Sequence, residues 1–297
     1  MTIIKSERDV TPAVQAVMAQ TSDPRLREIM TSLITHLHGF IRDVRLSESE
    51  FQAATKILNA MGQQSNDKHN EFVLMAGSLG VSSLVCLLNN GDGGATETTQ
   101  SLLGPFWRMN QPLTENGGSI LRSDTPGPRL YGLFQFHDQD GRPVEGLEVD
   151  IWHASPVGLY ENQDESQADY NLRGKFITDS DGVVRFKSVK PIGYPIPTDT
   201  TVGQLLKAQG RHPYRPAHVH VLAHKQGFKT LINQTYVDET DYLTSDVQFG
   251  VTEALIGKLE RHDGPHPEEG DIGEWYTLEH TLVMEPGESR LPIPPIK

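Results

Sequence analysis

The apolar residues of this chain change their period near Gly104-Pro105, and that change limits the fold more than any single motif. Upstream, Leu26, Ile29, Met30, Leu33, Ile34, Leu37 and Ile41 recur at steps of three and four, which is one face of a helix. Thr11-Pro12 reads as an N-cap followed by proline at the first helical position. Ser47-Glu48-Ser49-Glu50 is a capping box that opens a helix carrying Phe51, Ile57, Leu58 and Met61. A further helix is expected from about Lys68 to Leu88, stopped by Asn89-Asn90-Gly91. Its apolar residues spread around the axis, so it should be buried on more than one side, as at a dimer interface. Gly91–Gly94 reads as a loop. Gly104-Pro105-Phe106-Trp107 then breaks any helix, and extended patterns follow: Tyr131–His137, Leu147–His153, Lys175–Thr178, Val183–Phe186, His218–His224, Thr230–Val237 and Trp275–Met284. Ser180-Asp181-Gly182 reads as a hairpin turn between its flanking strands. A short helical run interrupts at Val202–Gln209, and the Leu291–Ile296 tail is Pro-rich and extended. Many short strands divided by turn signals indicate a sandwich or barrel. The expected class is α+β: a helical segment over 1–105, then an antiparallel β-sandwich or barrel over 106–297.

Charge narrows the partners. The 297 residues carry a formal net charge of -13, which argues against a nucleic-acid surface. No apolar run approaches the roughly 20 residues of a membrane helix. The opening MTIIKSERDV has no apolar export core, so a cytoplasmic location is the expectation. With one cysteine, Cys86, neither an internal disulfide nor a CxxC zinc site can form. Any metal must be held by His, Tyr, Asp or Glu.

Two His-x-His spellings occur, and their surroundings separate them. In Ala217–Ala223 (AHVHVLA) an extended backbone puts His218 and His220 on one face, side by side, as metal ligation requires. Such a pair alone is as consistent with two half-exposed strand histidines as with ligation. His36 and His38 sit on a helix, about 200° apart, and cannot share an ion. They read as solvated or packing residues. His266-Pro267-Glu268 is a His-x-acid candidate for a two-His, one-carboxylate site, and its Pro/Gly-rich loop reads as solvated. Tyr160 follows the strand ending WHA, Tyr194 lies in KPIGYPIP, and Arg215 stands three residues before His218. Singly, each has a plain structural explanation: a packed ring, a surface ion pair, or, for Gln234, a satisfied backbone group.

Taken together, WHASPVGLY, NLRG, PIGYP and GRHPYRPAHVH resemble the intradiol ring-cleaving dioxygenases. The resemblance covers the β region and extends to a helical arm similar to that family's dimer-forming linker. It implies a β-sandwich homodimer with one Fe(3+) per subunit held by Tyr160, Tyr194, His218 and His220. It implies Arg215 as the cationic group facing substrate, with Gln234 as its polar neighbour. It also implies that Tyr194 leaves the metal when a 1,2-dihydroxybenzene binds and takes up a substrate proton, while Arg215 stabilises charge on the ring as O2 attacks. The donor chemistry agrees. Phenolates are hard anionic ligands that favour the ferric state, direct binding to a cation strips their protons, and four protein ligands leave room for substrate.

The same resemblance implies a substrate pocket of Leu74, Gly77, Leu102, Gly104, Pro105, Phe106, Ile196, Pro197 and Thr198. GPF together with GYPIPTD, VGQLL and GRHPYRPAH is most similar to enzymes that open hydroxyquinol (1,2,4-trihydroxybenzene) to maleylacetate. One departure stands out: those enzymes tend to carry an acidic residue where this chain has Gly77. Catechol or a chlorocatechol, opened to a cis,cis-muconate, is therefore the alternative. Relatives' arms can hold a lipid at the dimer interface, and helix packing alone would look the same. A cupin-like metal-binding protein is a remote alternative, because His218, His220 and His224 resemble HxHx(3)H. The glycine that pattern wants six residues earlier is His212 here, and Gly210 stands eight before. An inert β-sandwich with a helical arm is a third possibility, which stoichiometric iron with O2 uptake on adding catechols would exclude.

Overall fold

The computed structural model describes residues 3–66, 69–90, 100–238 and 241–296. They form two compact units, Met1–Ala60 and Met61–Lys297. The division falls ahead of the last helices before the sheet, because Leu74 packs with Ile196, Val202, Leu206 and Val247.

The first unit holds α1 (Val10–Met18), α2 (Pro24–Val44) and the start of α3 (Glu48–Gln64). Asp23 caps α2 by accepting from the Arg25 and Leu26 amides, with Pro24 at the first helical position. The capping box of α3 forms as its spelling predicts: Ser47 N–H donates to Glu50 Oε2 at 2.8 Å, and Glu50 N–H to Ser47 Oγ at 3.3 Å. Thr11 does not cap α1. Ser6 and Asp9 exchange hydrogen bonds and start the helical run earlier, while Thr11 Oγ1 pairs with His38 Nδ1 at 2.9 Å. His36 is exposed and His38 half-buried, as expected of residues on different helix faces. Neither α1 nor α2 contains a buried residue, and Leu26, Leu33, Leu37, Phe40 and Val44 on α2 are exposed.

The second unit begins with the end of α3. The helix expected over Lys68–Leu88 is two helices, α4 (Glu71–Ser78) and α5 (Val81–Asn90), bent by 76°. Gly80 takes φ +71°, and that left-handed residue ends α4. Lys68 and the Gly91–Gly94 loop lie outside the described residues. No single helix among the described residues is long and apolar enough to cross a membrane.

Among the described residues ten strands follow: β1 (Arg129–Asp138), β2 (Glu148–Trp152), β3 (Arg173–Ile177), β4 (Val183–Val189), β5 (Tyr194–Pro195), β6 (Tyr214–Arg215), β7 (His218–His224), β8 (Leu231–Val237), β9 (Ile256–His262) and β10 (Trp275–Met284). Helix α6 (Thr201–Ala208) lies between β5 and β6, capped by Thr200. Eight strands form one sheet in the order β3-β2-β7-β8-β9-β10-β1-β4, and β5 pairs with β6. The sheet is mixed, not purely antiparallel: β1 runs parallel to β10 along its whole length, and β8 meets β9 in a short parallel bridge.

The hairpin expected at Ser180–Gly182 is also not formed. The turn is real, with Gly182 N–H donating to Asp179 O at 2.9 Å, but β3 pairs with β2 and β4 with β1. Phe176 of β3 and Phe186 of β4 meet in one core from the two halves of the sheet, so burial overrides the local pairing. That core also draws Val149 and Ile151 from β2, Val219 and Val221 from β7, and Leu278 and Leu282 from β10. The other face of β7 is therefore free to build a site.

Candidate metal centre and active site

Alternation on β7 decides what the site is made of. Val219, Val221 and Ala223 enter the core, so His218 and His220 point to the opposite face, both buried. Tyr160 reaches this face from the loop after β2, where its own N–H donates to Gln163 Oε1 at 3.0 Å and fixes the turn. Tyr194 comes from β5, paired directly opposite Arg215 of β6. The four donor groups converge. Tyr160 Oη lies 3.0 Å from Tyr194 Oη and 3.0 Å from His220 Nε2, and Tyr194 Oη lies 3.3 Å from His218 Nε2.

The imidazoles are held in fixed poses. His218 Nδ1 lies 2.8 Å from the Pro216 carbonyl, which accepts its proton and leaves the Nε2 lone pair facing the cluster. His220 stacks on Trp152 at 4.7 Å with an interplanar angle of 5°. Burial, with Arg215 beside it, pushes His218 down to about 3, and burial with His218 nearby depresses His220 well below the usual range. Both rings are thus neutral donors at physiological pH. Burial raises both phenols, Tyr160 strongly so with Tyr194 against it, so without a cation they keep their protons. Among the described residues no group of three or more His, Cys, Asp or Glu could hold a metal. The oxygens nearest the histidine pair are those of the two tyrosines. Two phenols and two neutral imidazoles linked in a chain of contacts of 3.0–3.3 Å would suit a hard trivalent cation, which would displace the phenol protons.

Around this cluster the structure gathers most of the remaining predicted residues. Arg215 Nη1 lies 3.4 Å from His218 Nε2. Gln234 faces His220 across the β7–β8 ladder, accepts from Arg215 Nη2 at 2.9 Å and donates to the Leu102 carbonyl at 2.6 Å. Gly104, at φ +74°, brings its backbone so close that a Cβ there would stand 3.0 Å from His220 Cε1. Pro105 continues that turn, and the Phe106 ring tilts against Tyr160 at 4.7 Å. Arg173, fully buried, clamps the two loops: Nε donates to Glu161 Oε2 and Nη1 to the Phe106 carbonyl, both at 2.6 Å. Leu74 and Ile196 share an apolar cluster, and Pro197 and exposed Thr198 lead into the Thr200 cap of α6. A Cβ on buried Gly77 would meet the Gln248 side chain at 3.0 Å. His224 turns away, its Nδ1 2.8 Å from Ser289 Oγ and 3.2 Å from Thr230 Oγ1.

A dioxygenase family profile matches residues 102–276, and one for the catechol dioxygenase N terminus matches residues 23–96. The chain belongs to the intradiol ring-cleavage dioxygenases. It is 38% identical to the hydroxyquinol 1,2-dioxygenase of Rhizobium sp. (strain MTP-10005), over 91% of this chain and 92% of that protein. It is 33% identical to the catechol 1,2-dioxygenase of Candida albicans, over 85% of this chain and 84% of that one. The crystal structure of hydroxyquinol 1,2-dioxygenase from Pseudomonas putida DLL-E4 superposes with a TM-score of 0.86 at 32% identity, covering 95% and 99% of the two chains.

Three residues at the site escape the sequence reading. Tyr236 lies opposite His218 in the ladder and donates to Gln234 Oε1 at 2.8 Å; the alternation Gln234-x-Tyr236 is enough to place it. Trp152 could be found the same way, since β2 register sets it opposite His220. Asp246, in a loop, leaves no periodic signal.

Proposed function

We propose that this dioxygenase uses ferric iron held by Tyr160, Tyr194, His218 and His220 to open hydroxyquinol to maleylacetate, and that its sheet is folded as a two-layer sandwich. The convergence of two phenol oxygens on two imidazole nitrogens carries the reading. Ferric iron, when bound, supplies the Lewis acidity and electron exchange that let O2 react with an aromatic diol. The protein's own groups do the rest. Tyr194 Oη accepts a hydroxyl proton from the incoming diol. Arg215 Nη1 stabilises negative charge on the ring as oxygen adds. Phe106, Trp107, Trp152 and Leu222 cluster with the tyrosines and exclude water. Leu74, Gly77, Leu102, Gly104, Pro105, Ile196, Pro197 and Thr198 wall the ring.

Hydroxyquinol is favoured because two of the three relatives described act on it. No acid stands at Gly77 to meet a third hydroxyl, but the amide of Gln248 rests against that position and offers both a donor and an acceptor. The exposed apolar stripe of α2 is assigned to a homodimer, since a lone helix pair leaves it uncovered; a lipid tail would suit the same face. With one cysteine the fold needs no disulfide, which fits a cytoplasmic setting.

The test is O2 uptake by the iron-loaded, red-brown protein on hydroxyquinol, catechol and 4-chlorocatechol. The highest kcat/KM is expected with hydroxyquinol. Preference for either of the others moves the substrate reading, and no uptake with any diol overturns the activity.

A further inference from the structure

Arg215 is held on three sides, and the manner of its holding identifies a residue that none of the site's chemistry has used. Asp246 is buried, and its carboxylate grips the guanidinium as a fork: Nε donates to Oδ1 at 3.1 Å and Nη2 to Oδ2 at 2.9 Å. Nη2 is also engaged by Gln234 Oε1 at 2.9 Å and by Tyr236 Oη at 2.7 Å. The third nitrogen, Nη1, is the one directed at the metal-facing Nε2 of His218.

The carboxylate is itself fixed. Gly250 N–H donates to Oδ2 at 2.9 Å and Gln248 N–H to Oδ1 at 3.2 Å. Gly250 must be glycine for this packing, because a Cβ would stand 2.5 Å from Tyr236 Oη and 3.0 Å from Arg215 Nη2. Such a planar two-point grip sets direction as well as distance, which a lysine or a single hydrogen bond could not. Burial disfavours the guanidinium's charge, and Asp246 beside it more than offsets that, holding Arg215 well above its ordinary range.

We infer that Asp246 is a positioning residue for ring cleavage: it aims Nη1 of Arg215 at the reacting centre and never touches substrate itself. This rests on the reading of the site as an O2-dependent ring-cleavage centre with Arg215 as its cationic group. A buried ion pair adds little net stability, and replacing both partners with apolar residues of similar size is often neutral. The pair is therefore better explained by orientation than by folding.

The experiment is a double-mutant cycle on the iron-loaded enzyme, using Arg215→Met, Asp246→Asn and the double variant. It reads the visible phenolate-to-iron band, thermal unfolding, and steady-state O2 uptake with hydroxyquinol. Asp246→Asn is expected to keep the iron band, since the ligands are untouched, and to lose about 10²-fold in kcat, the cost of misplacing an aimed group by about 1 Å. The diol KM should stay within about twofold, as for an interaction made mainly in the transition state. In the Arg215→Met background the same change should have no further effect, because Asp246 would act only through Arg215. If Asp246→Asn does not fold, Asp246→Glu decides: it keeps the charge, lengthens the arm, and should retain colour while losing turnover. Full turnover in Asp246→Glu or Asp246→Asn overturns the inference, as does an undiminished effect of Asp246→Asn when Arg215 is Met. A red wild-type protein that consumes no O2 would instead overturn the reading of the site.

Discussion

Replacing Tyr160 with phenylalanine removes one oxygen and leaves the ring. The ring's packing against Phe106, Trp107 and Trp152 is unchanged, so no cavity forms. What leaves are two contacts at 3.0 Å, to Tyr194 Oη and His220 Nε2. In iron-free protein, losing them and stranding two buried partners should cost about 1–3 kcal/mol. On the proposed ligand set, the same oxygen would be one of two anionic donors in iron-loaded protein. Ferric iron at 100 times its Kd stabilises the wild-type fold by about 2.7 kcal/mol through mass action, and a variant that has lost the ligand forfeits much of that gain.

The two effects separate in one experiment: denaturant unfolding with and without ferric iron, alongside the visible spectrum and proton release during loading. Both phenols are protonated before iron arrives, because burial holds them above their ordinary range. Loading the wild type at neutral pH should therefore release one proton from each phenol. Tyr160→Phe should release the Tyr194 proton alone, show a weakened charge-transfer band and lose most turnover. A variant that binds iron with the full band, full proton release and the full stability gain would show that Tyr160 is not a ligand, and the reasoning from convergence would fail with it.

Other perturbations probe the supports. Arg173→Met removes one of the two cations on buried Glu161 and leaves its contact with Arg108 at 2.9 Å; a loss of about 3–5 kcal/mol in denaturant unfolding is expected, and a loss below about 1 kcal/mol would refute the clamp. Gly104→Ala forces a side chain to φ +74° and to 3.0 Å from His220 Cε1, so about 1–3 kcal/mol of stability and tight iron binding should both go; wild-type iron affinity would contradict it. His153 is buried between Ser188 Oγ and the Ala154 carbonyl, and burial pushes it down to about 4. The unfolded chain takes up this proton near pH 6.5 and the folded one not until about 4, so its contribution is intact above 6.5 and is lost as pH falls across that window. About 3 kcal/mol is at stake. His153→Gln should flatten the acid limb of stability against pH in iron-free protein, and an unaltered limb would count against it.

What was legible in the sequence followed from local rules. Alternation in AHVHVLA puts two imidazoles on one face, and the same spelling at His36 and His38 lies on a helix, as its periodicity predicts. The capping box of α3 formed as spelled. Three features were not legible, for three reasons. Gly80 was read through, because apolar residues continue on both sides of it and only its positive φ shows the bend. The turn at Ser180–Gly182 has hairpin chemistry, yet turn residues specify a reversal and not which strands then pair. Asp246 sits in a loop far along the chain from Arg215, and no period links a loop residue to its partner. Convergence of Tyr160 and Tyr194 on the histidines was likewise beyond periodicity, and it was the motif resemblance that joined them.

The two faces of β7 explain why core and site cannot be tuned separately. Val219, Val221 and Ala223 on one face are fully buried, and His218, His220 and Leu222 on the other belong to the site and its apolar wall. A register slip of one residue would exchange the faces, burying imidazoles in the core and turning valines toward the tyrosines. Register is held from both sides: β2 sets Trp152 against His220, and β8 sets Gln234 against His220 and Tyr236 against His218. The residues that keep the strand in place are thus those that stack on or hydrogen-bond around the two imidazoles. Changes that loosen the ladder at Trp152 or Tyr236 should cost iron affinity before they cost the fold, since the core half of β7 keeps its packing while the imidazoles lose their aim.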